Sequence, residues 1–528
     1  MSEILVDIFP LEVIDNIFLF LSEKALTTFC KESIETSVLR SIAISRIRKT
    51  ISVHSLEGLV EAAKVDAPIG TMHLNYEEEY LPFLKENPSF VASIADVKLV
   101  VRCHTGYTVL EEILFRSISQ FTVTNARCFD PSLVLRNLNL IEVSCGNDLR
   151  KLDGWPPTLS HLKISSHGNL TLINLPKSLR ELNCEFLDWA MDVFPPKLVK
   201  LSFHYIKGFP SNRMEFPETL KELLIRNCSV PDIQKLVTRL PSRLTKLHFD
   251  HQIGSKLSSL KFPDSIEVLN LSSCEIESLE GFKFPSSLVS LNLDSNRIRK
   301  LENLKFPETL RVLSLSSNTI RTLDFCEFPN LLRELYAGSN HFISMDSANF
   351  PELEVLDIST SSRRNIKSIR NVRFPSTLKV LNALGHAIKD CWRTSFPEGL
   401  KELRITVKGR PQRMSFPPEL EILALTLPKS RKSKFAHLAL PETLQKLEIT
   451  NGRCIEFDWK LPHLQQLILY DFKGHLKVPL TVSWLEVSVM SGKWLKGLSI
   501  AHNLEMLDVI CEEGCFNDDI DDIIENRV

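Results

Sequence analysis

An apolar residue followed by proline recurs along most of this chain, with the prolines at 156, 176, 195, 217, 241, 263, 285, 307, 329, 351, 375, 397, 417, 441, 462 and 479. These are 16 of its 28 prolines, and the 15 intervals from 156 to 479 average about 21.5 residues, five consecutive ones being 22. A period of this length argues against a chain of 528 residues split into ordinary globular domains. Each repeat is one small unit that buries its apolar side only against its neighbours, so the repeats stack into a solenoid.

The frame after each mark is cleanest in FPSSLVSLNLDSNRIRKL (284–301) and FPETLRVLSLSSNTIRTL (306–323). In L-x-x-L-x-L-x-x-N-x-I-x-x-L the L-x-L portion alternates, so Leu291 and Leu293 point inward from a short strand and Asn292 points out. Asn296 and Asn318 stand where an amide can satisfy backbone groups of neighbouring turns, and Cys228 and Cys274 occupy the same position. This frame resembles the leucine-rich repeat. The resemblance implies an α/β fold, a parallel-strand horseshoe of about 21 coils of about 22 residues between 69 and 509, in one continuous solenoid.

Ten of the marked prolines follow Phe and one follows Trp155, which places a large ring once per coil on the return segment and predicts a second stacked core column. Proline fixes φ and stops a helix from running into the strand, so the convex side is expected to be extended or 3₁₀. Nearer the N-terminus the prolines fade but the spacing persists in Ile69/Met72/Leu74, Ile94/Val97/Leu99, Ile118/Phe121/Val123 and Leu138/Ile141/Val143, and the last match is Leu504/Leu507/Val509. The expected organisation is a helical head at 1–48, irregular repeats at 49–150, regular repeats at 151–488, and a last repeat, cap and acidic tail at 489–528.

The head contains FPLEVIDNIFLFL (9–21), whose Val13, Ile14, Ile17, Phe18 and Leu21 fall on one helical stripe. On periodicity alone this is a capping helix for the open end of a solenoid. The order of residue types also resembles the opening of an F-box, L-P-x-E-[IV]-[IL]-x-x-I-[FL]-x-[FY]-L. Pro10, Glu12, Val13, Ile14, Ile17, Phe18, Phe20 and Leu21 match, Phe9 replaces the first Leu, and residues 25–49 lack the Trp that many F-boxes carry there. F-box proteins with leucine-rich repeats are substrate receptors of SCF-type cullin-RING ubiquitin ligases. The resemblance implies that Phe9, Pro10, Leu11, Glu12, Val13, Ile14, Ile17, Phe18 and Leu21 dock the Skp adaptor and through it a cullin, with a protein substrate on the solenoid.

No phosphate loop, H-E-x-x-H or G-x-S-x-G motif occurs, Gly is only 18 of 528, and the 14 histidines have no metal-ligand spacing. The expectation is therefore a non-catalytic protein without cofactor or metal. His161, His204 and His248 read as solvent-facing strand residues, and the 12 cysteines as reduced, mostly buried thiols. The N-terminus is too acidic for a secretory signal and no uncharged apolar run is long enough to span a bilayer, which points to the cytoplasm, the nucleus or both, and to no membrane partner.

Two surfaces are candidates for the substrate. Outward strand residues of the regular coils form a polar, nearly uncharged row that includes Asn270, Asn292, Asp294, Ser314, Tyr336, Asp357 and Asn382, suited to hydrogen bonds with a protein, though a merely soluble face would look alike. Residues 363–434 carry 17 Lys or Arg against 5 acids, a net of +12 in a chain whose total is -2. Arg363, Arg364 and Arg410 belong to this basic rim, which can hold a phosphorylated or acidic segment, or stay a solvated edge facing the acidic tail. Nucleic acid is disfavoured because no aromatic residues interleave with the charge. The competing reading is a leucine-rich-repeat scaffold or regulator outside the ubiquitin system, for example of a phosphatase, whose head only caps the solenoid.

Overall fold

The computed structural model describes residues 50–64, 69–76, 79–102, 118–126, 140–145, 151–152, 155–166, 171–172, 174–186, 194–206, 215–228, 230, 232–250, 254–361, 366–409, 413–427, 438–451, 453–454, 461–474, 476–489, 498–499 and 504–511. The F-box-like motif, Phe9 to Leu21, lies outside the described residues, and so do Arg363, Arg364 and Arg410. The chain divides into two compact units, residues 1–244 and 245–528.

The first unit contains nine described strands in one parallel ladder: Thr50–Val53, Ile69–Tyr76, Ile94–Arg102, Ile118–Ala126, Leu140–Cys145, His161–Ser166, Glu181–Glu185, Lys200–His204 and Glu222–Arg226. Every strand expected from the apolar spacing after residue 69 is present, and Thr50–Val53 adds one before it. The pairing register aligns Leu74, Leu99, Phe121, Ile141, Leu162, Leu182, Leu201 and Leu223 in a single buried column. Short helices at Leu56–Ala63, Tyr80–Glu86 and Pro88–Ser93 take up the return segments here, the first capped by Ser55, whose hydroxyl accepts the Gly58 N–H at 3.1 Å.

The second unit holds thirteen described ladder strands, Lys246–Asp250, Val268–Asn270, Ser290–Asn292, Val312–Ser314, Glu334–Tyr336, Val355–Asp357, Val380–Ile388, Glu402–Val407, Ile422–Thr426, Lys446–Thr450, Gln466–Tyr470, Trp484–Val489 and Met506–Cys511. All pair in parallel with the next. Leu247, Leu269, Leu291, Leu313, Leu335, Leu356, Leu381, Leu403, Leu423, Leu447, Leu467 and Leu485 line up along it and are buried. Burying each is worth about 1.5–3 kcal/mol, which is why the leucine frame dictates the register.

The proline marks have a sharper role than stopping a helix. In nearly every coil the proline carbonyl accepts the N–H of the residue three further on, as in Leu288 to Pro285 and Leu310 to Pro307, so Pro opens a closed turn that leads into the strand. Where the turn reads FPxTL, the threonine hydroxyl reaches back one coil: Thr309 Oγ1 donates to the Leu288 carbonyl at 2.8 Å, and Thr219 and Thr377 donate likewise to Leu198 and Leu353. The rings before the prolines form the expected second column, with Phe284–Phe306, Phe306–Phe328 and Phe328–Phe350 centroids 5.3, 6.5 and 6.3 Å apart. Among the described residues of these coils the return segments are extended or turn, with 3₁₀ at Gly254–Ser259 and Cys391–Arg393, except that a short α-helix, Ile233–Val237, capped by Asp232 accepting the Lys235 N–H, departs from the expected extended or 3₁₀ course, as do the helices before Ile94.

Asn296, Asn318 and Asn340 are buried, and each ties its own coil to the one before it. Asn318 Oδ1 accepts the Ile298 N–H at 3.0 Å, and its Nδ2 donates to the Leu293 and Leu315 carbonyls at 2.9 and 3.0 Å. The residue before each asparagine is left-handed, Ser295, Ser317 and Ser339 having φ of 55, 56 and 56°. Cys274 does part of the same work, its thiol donating to the Phe249 carbonyl at 3.4 Å. The described free cysteines, 184, 228, 274, 326 and 391, are all buried, and burial pushes the Cys326 and Cys391 thiols up to about 12.

Candidate binding face

The solvent face of the second unit's ladder is built by strand alternation. With each leucine inward, the next residue points out, and the register joins Asn270, Asn292, Ser314, Tyr336, Asp357 and Asn382 into one row. The sequence-derived row is therefore brought together, and Asp294 lies beside it: its Oδ1 accepts Ser314 Oγ at 2.6 Å. Much of the row's hydrogen-bonding capacity is spent within the protein. Asn270, Asn292 and Asp357 accept the N–H two residues on, at Ser272, Asp294 and Ser359, and Asn382 Nδ2 donates to Asp357 Oδ2 at 3.0 Å. Tyr336 donates to Glu334 at 2.8 Å, and burial together with that bond pushes its phenol up to about 12. The row is thus a set of local turn braces with half-exposed edges.

Charge enters where the regular coils end. Arg404 continues the row and contacts Glu402 at 2.5 Å and, over the small Ala424, Glu448 at 3.8 Å. Tyr470 donates to Glu486 at 2.8 Å, and that bond, then burial, pushes its phenol up to about 12, with Glu448 and Asp508 adding to the effect. Beyond it Trp484, Met506 and Ile510 are 38%, 44% and 46% exposed. These residues were missed by a reading confined to the central coils; extending the same alternation through WLEVSV and MLDVIC finds them.

Of the basic rim, Lys367, Lys389 and Lys408 are exposed and stack by coil: the Lys389 N–H donates to the Lys367 carbonyl at 3.0 Å, and the Lys408 N–H to Ile388 at 2.7 Å. Arg393 and Arg413 lie over the Trp392 ring at 4.4 and 5.6 Å. Lys379 and Lys401 are paired with Glu354 and Glu421 instead.

In the first unit, the strand face between Leu140 and Ser202 holds a shallow depression of about 190 Å³. Across its neighbouring strands His161 lies 3.4 Å from Glu181, and at its edge Lys200 lies 3.8 Å from Glu222. His161, His204 and His248 are all partly exposed strand residues. Among the described residues no group of His, Cys, Asp or Glu could hold a metal ion, and no helix is long and apolar enough to cross a membrane.

No known family profile matches the sequence, and no curated protein matches it. Solved structures do resemble it. The Toll–Spatzle complex of Drosophila is similar over 84% of this chain and 69% of that chain, at 12% identity and a TM-score of 0.52. YopM from Yersinia enterocolitica is 22% identical over 70% of this chain and 87% of that chain with a TM-score of 0.45, and the circular protein CroV588 is 15% identical over 87% and 81% with a TM-score of 0.48. The parallel ladder, the leucine columns and the asparagine braces define the fold as a leucine-rich-repeat solenoid, and the likeness to the Toll–Spatzle structure agrees with a repeat solenoid as the fold.

Proposed function

We propose that this chain is the substrate-recognition subunit of an SCF-type ubiquitin ligase, a non-catalytic receptor of the cytoplasm or nucleus. The observation that carries the proposal is the order of parts: an F-box-like motif, Pro10 to Leu21, ahead of a leucine-rich-repeat solenoid. In this reading the apolar stripe of Ile14, Ile17, Phe18 and Leu21 docks the Skp adaptor, and the outward strand face with the exposed cations of coils 366–413 holds a protein. A solenoid face built from rigid strands is a pre-organised surface, so little ordering entropy is lost when a protein docks. The receptor then acts by proximity, holding its substrate near a ubiquitin-loaded enzyme.

Co-purification with the Skp adaptor tests this. The native chain should retain the adaptor, and a variant carrying Ile17→Asp and Phe18→Asp should lose it while keeping its circular dichroism. If the double variant unfolds, the head is a cap; if neither chain retains the adaptor, the protein is a leucine-rich-repeat scaffold of another pathway.

A further inference from the structure

The last three ladder strands of the second unit present a face unlike the polar row before them. By alternation their outward-facing positions read Gln466, Ile468, Tyr470 on one strand, Trp484, Glu486, Ser488 on the next and Met506, Asp508, Ile510 on the last, opposite the inward Leu467, Leu485 and Val487; Ile468 and Ser488 are covered by their neighbours, and the other seven reach solvent. Parallel register sets Trp484 beside Met506, Glu486 beside Asp508 and Ser488 beside Ile510. Three rows result, about 6.6 Å apart along the strands: a large apolar row, a carboxylate row, and a row ending in Ile510. Trp484, Met506 and Ile510 are all more than a third exposed, although ladder positions of this size elsewhere in the unit are covered or polar. These nine outward positions include two carboxylates and no cation.

We propose that this face binds an extended segment of a partner protein in which a lysine or arginine stands between two large apolar residues, in the pattern apolar-x-cation-x-apolar. The spacing follows from the ladder: an extended segment running along the strands repeats its side chains every second residue, also about 6.6 Å, so its outer apolar groups meet Trp484/Met506 and Ile510 while its cation meets Glu486 and Asp508. The aromatic anchor gives affinity, and the carboxylate row rejects a segment of the wrong sign. The chain's own residues 512–528 are a poor occupant, because Asp518, Asp519, Asp521, Asp522 and Glu525 would set carboxylates against Glu486 and Asp508. The inference rests on the reading that the strand face holds a protein, and it gives that protein a chemistry.

The test uses the full chain and two fluorescent peptides, Ser-Leu-Ser-Lys-Ser-Leu-Ser and the same peptide with Glu for Lys, followed by anisotropy. The lysine peptide should bind at least about tenfold more tightly than the glutamate peptide. Trp484→Ala should cost at least about tenfold, Trp484→Phe much less, and Glu486→Lys with Asp508→Lys should reverse the preference. Equal affinity for the two peptides, or undiminished binding by Trp484→Ala, would overturn the proposal. Binding that emerges only after residues 512–528 are removed would make the tail the occupant and would also overturn it. Adaptor retention is scored separately: a chain that keeps the adaptor but ignores the lysine peptide refutes this face alone, and the converse refutes the ligase reading alone.

Discussion

His386 Nδ1 accepts the backbone N–H of Ile366 at 3.1 Å, as Asn318 Oδ1 accepts that of Ile298 at 3.0 Å, each from a donor twenty residues upstream. The ring's Nε2–H donates to the Ile358 carbonyl at 2.6 Å, which repeats the asparagine's bond to Leu293. A fully buried histidine thus replaces an asparagine brace, and the two bonds assign it the neutral Nε2–H tautomer.

That substitution makes one coil of the solenoid acid-sensitive. Burial lowers the His386 pKa below its ordinary 6.5, and a proton on Nδ1 would confront the Ile366 N–H. Since the unfolded chain then binds the proton more readily, this contribution to stability is complete above about 6.5 and is lost as pH falls below it. Denaturant melts should show the native chain losing stability below that pH, with His386→Asn flattening this part of the profile. An unchanged profile in the variant would place the acid sensitivity elsewhere.

The left-handed position just before the brace is occupied by Gly385, with φ of 84°. A Cβ there would lie 1.5 Å from the Thr360 carbonyl oxygen, so Gly385→Ala should cost about 3 kcal/mol or more, measured as a shift in denaturation midpoint. Gly399 has no atom within 4 Å of such a Cβ, and Gly399→Ala should change stability by no more than about 0.5 kcal/mol.

Asn318→Ala removes the acceptor for Ile298 and the donors to Leu293 and Leu315, stranding buried backbone groups at a cost of about 2–4 kcal/mol. Asn318→Cys should cost less, because Cys274 already fills that position and its thiol reaches the equivalent carbonyl. Equal losses in the two variants would mean that packing, and not the hydrogen bonds, sets the cost.

Glu486 and Tyr470 offer a spectroscopic check on the acidic face. Tyr470 titrates at about 12 because its hydroxyl is held by Glu486. Glu486→Gln should bring that phenol back toward its ordinary 10, seen as earlier tyrosinate absorbance in an alkaline titration.

The leucine and proline frame made the ladder legible from sequence: Leu269 to Leu485 are inward because one register buries all of them, and a slip of one residue would expose the set. Thr50–Val53 was missed because its strand precedes the first full match at Ile69, with only Ile51 and Val53 to announce it. His386 was invisible because the signature at that position names Asn or Cys, and its role depends on two backbone bonds that no pattern encodes. The row from Asn270 to Asn382 was found by alternation, yet alternation says nothing of the bonds that occupy those side chains. Trp484 and Met506 obey the same alternation, and their importance lies in an exposure that only the packed ladder reveals.

If the F-box-like motif proposed at Pro10 to Leu21 couples this solenoid to a ubiquitin ligase, the chain must bind the Skp adaptor. Titration calorimetry of the Skp adaptor into the full chain tests it most directly. The native chain should bind one adaptor per chain with measurable heat, and the Ile17→Asp, Phe18→Asp variant, its fold intact, should give none. Absence of heat with the native chain, or equal binding by the folded double variant, would contradict it.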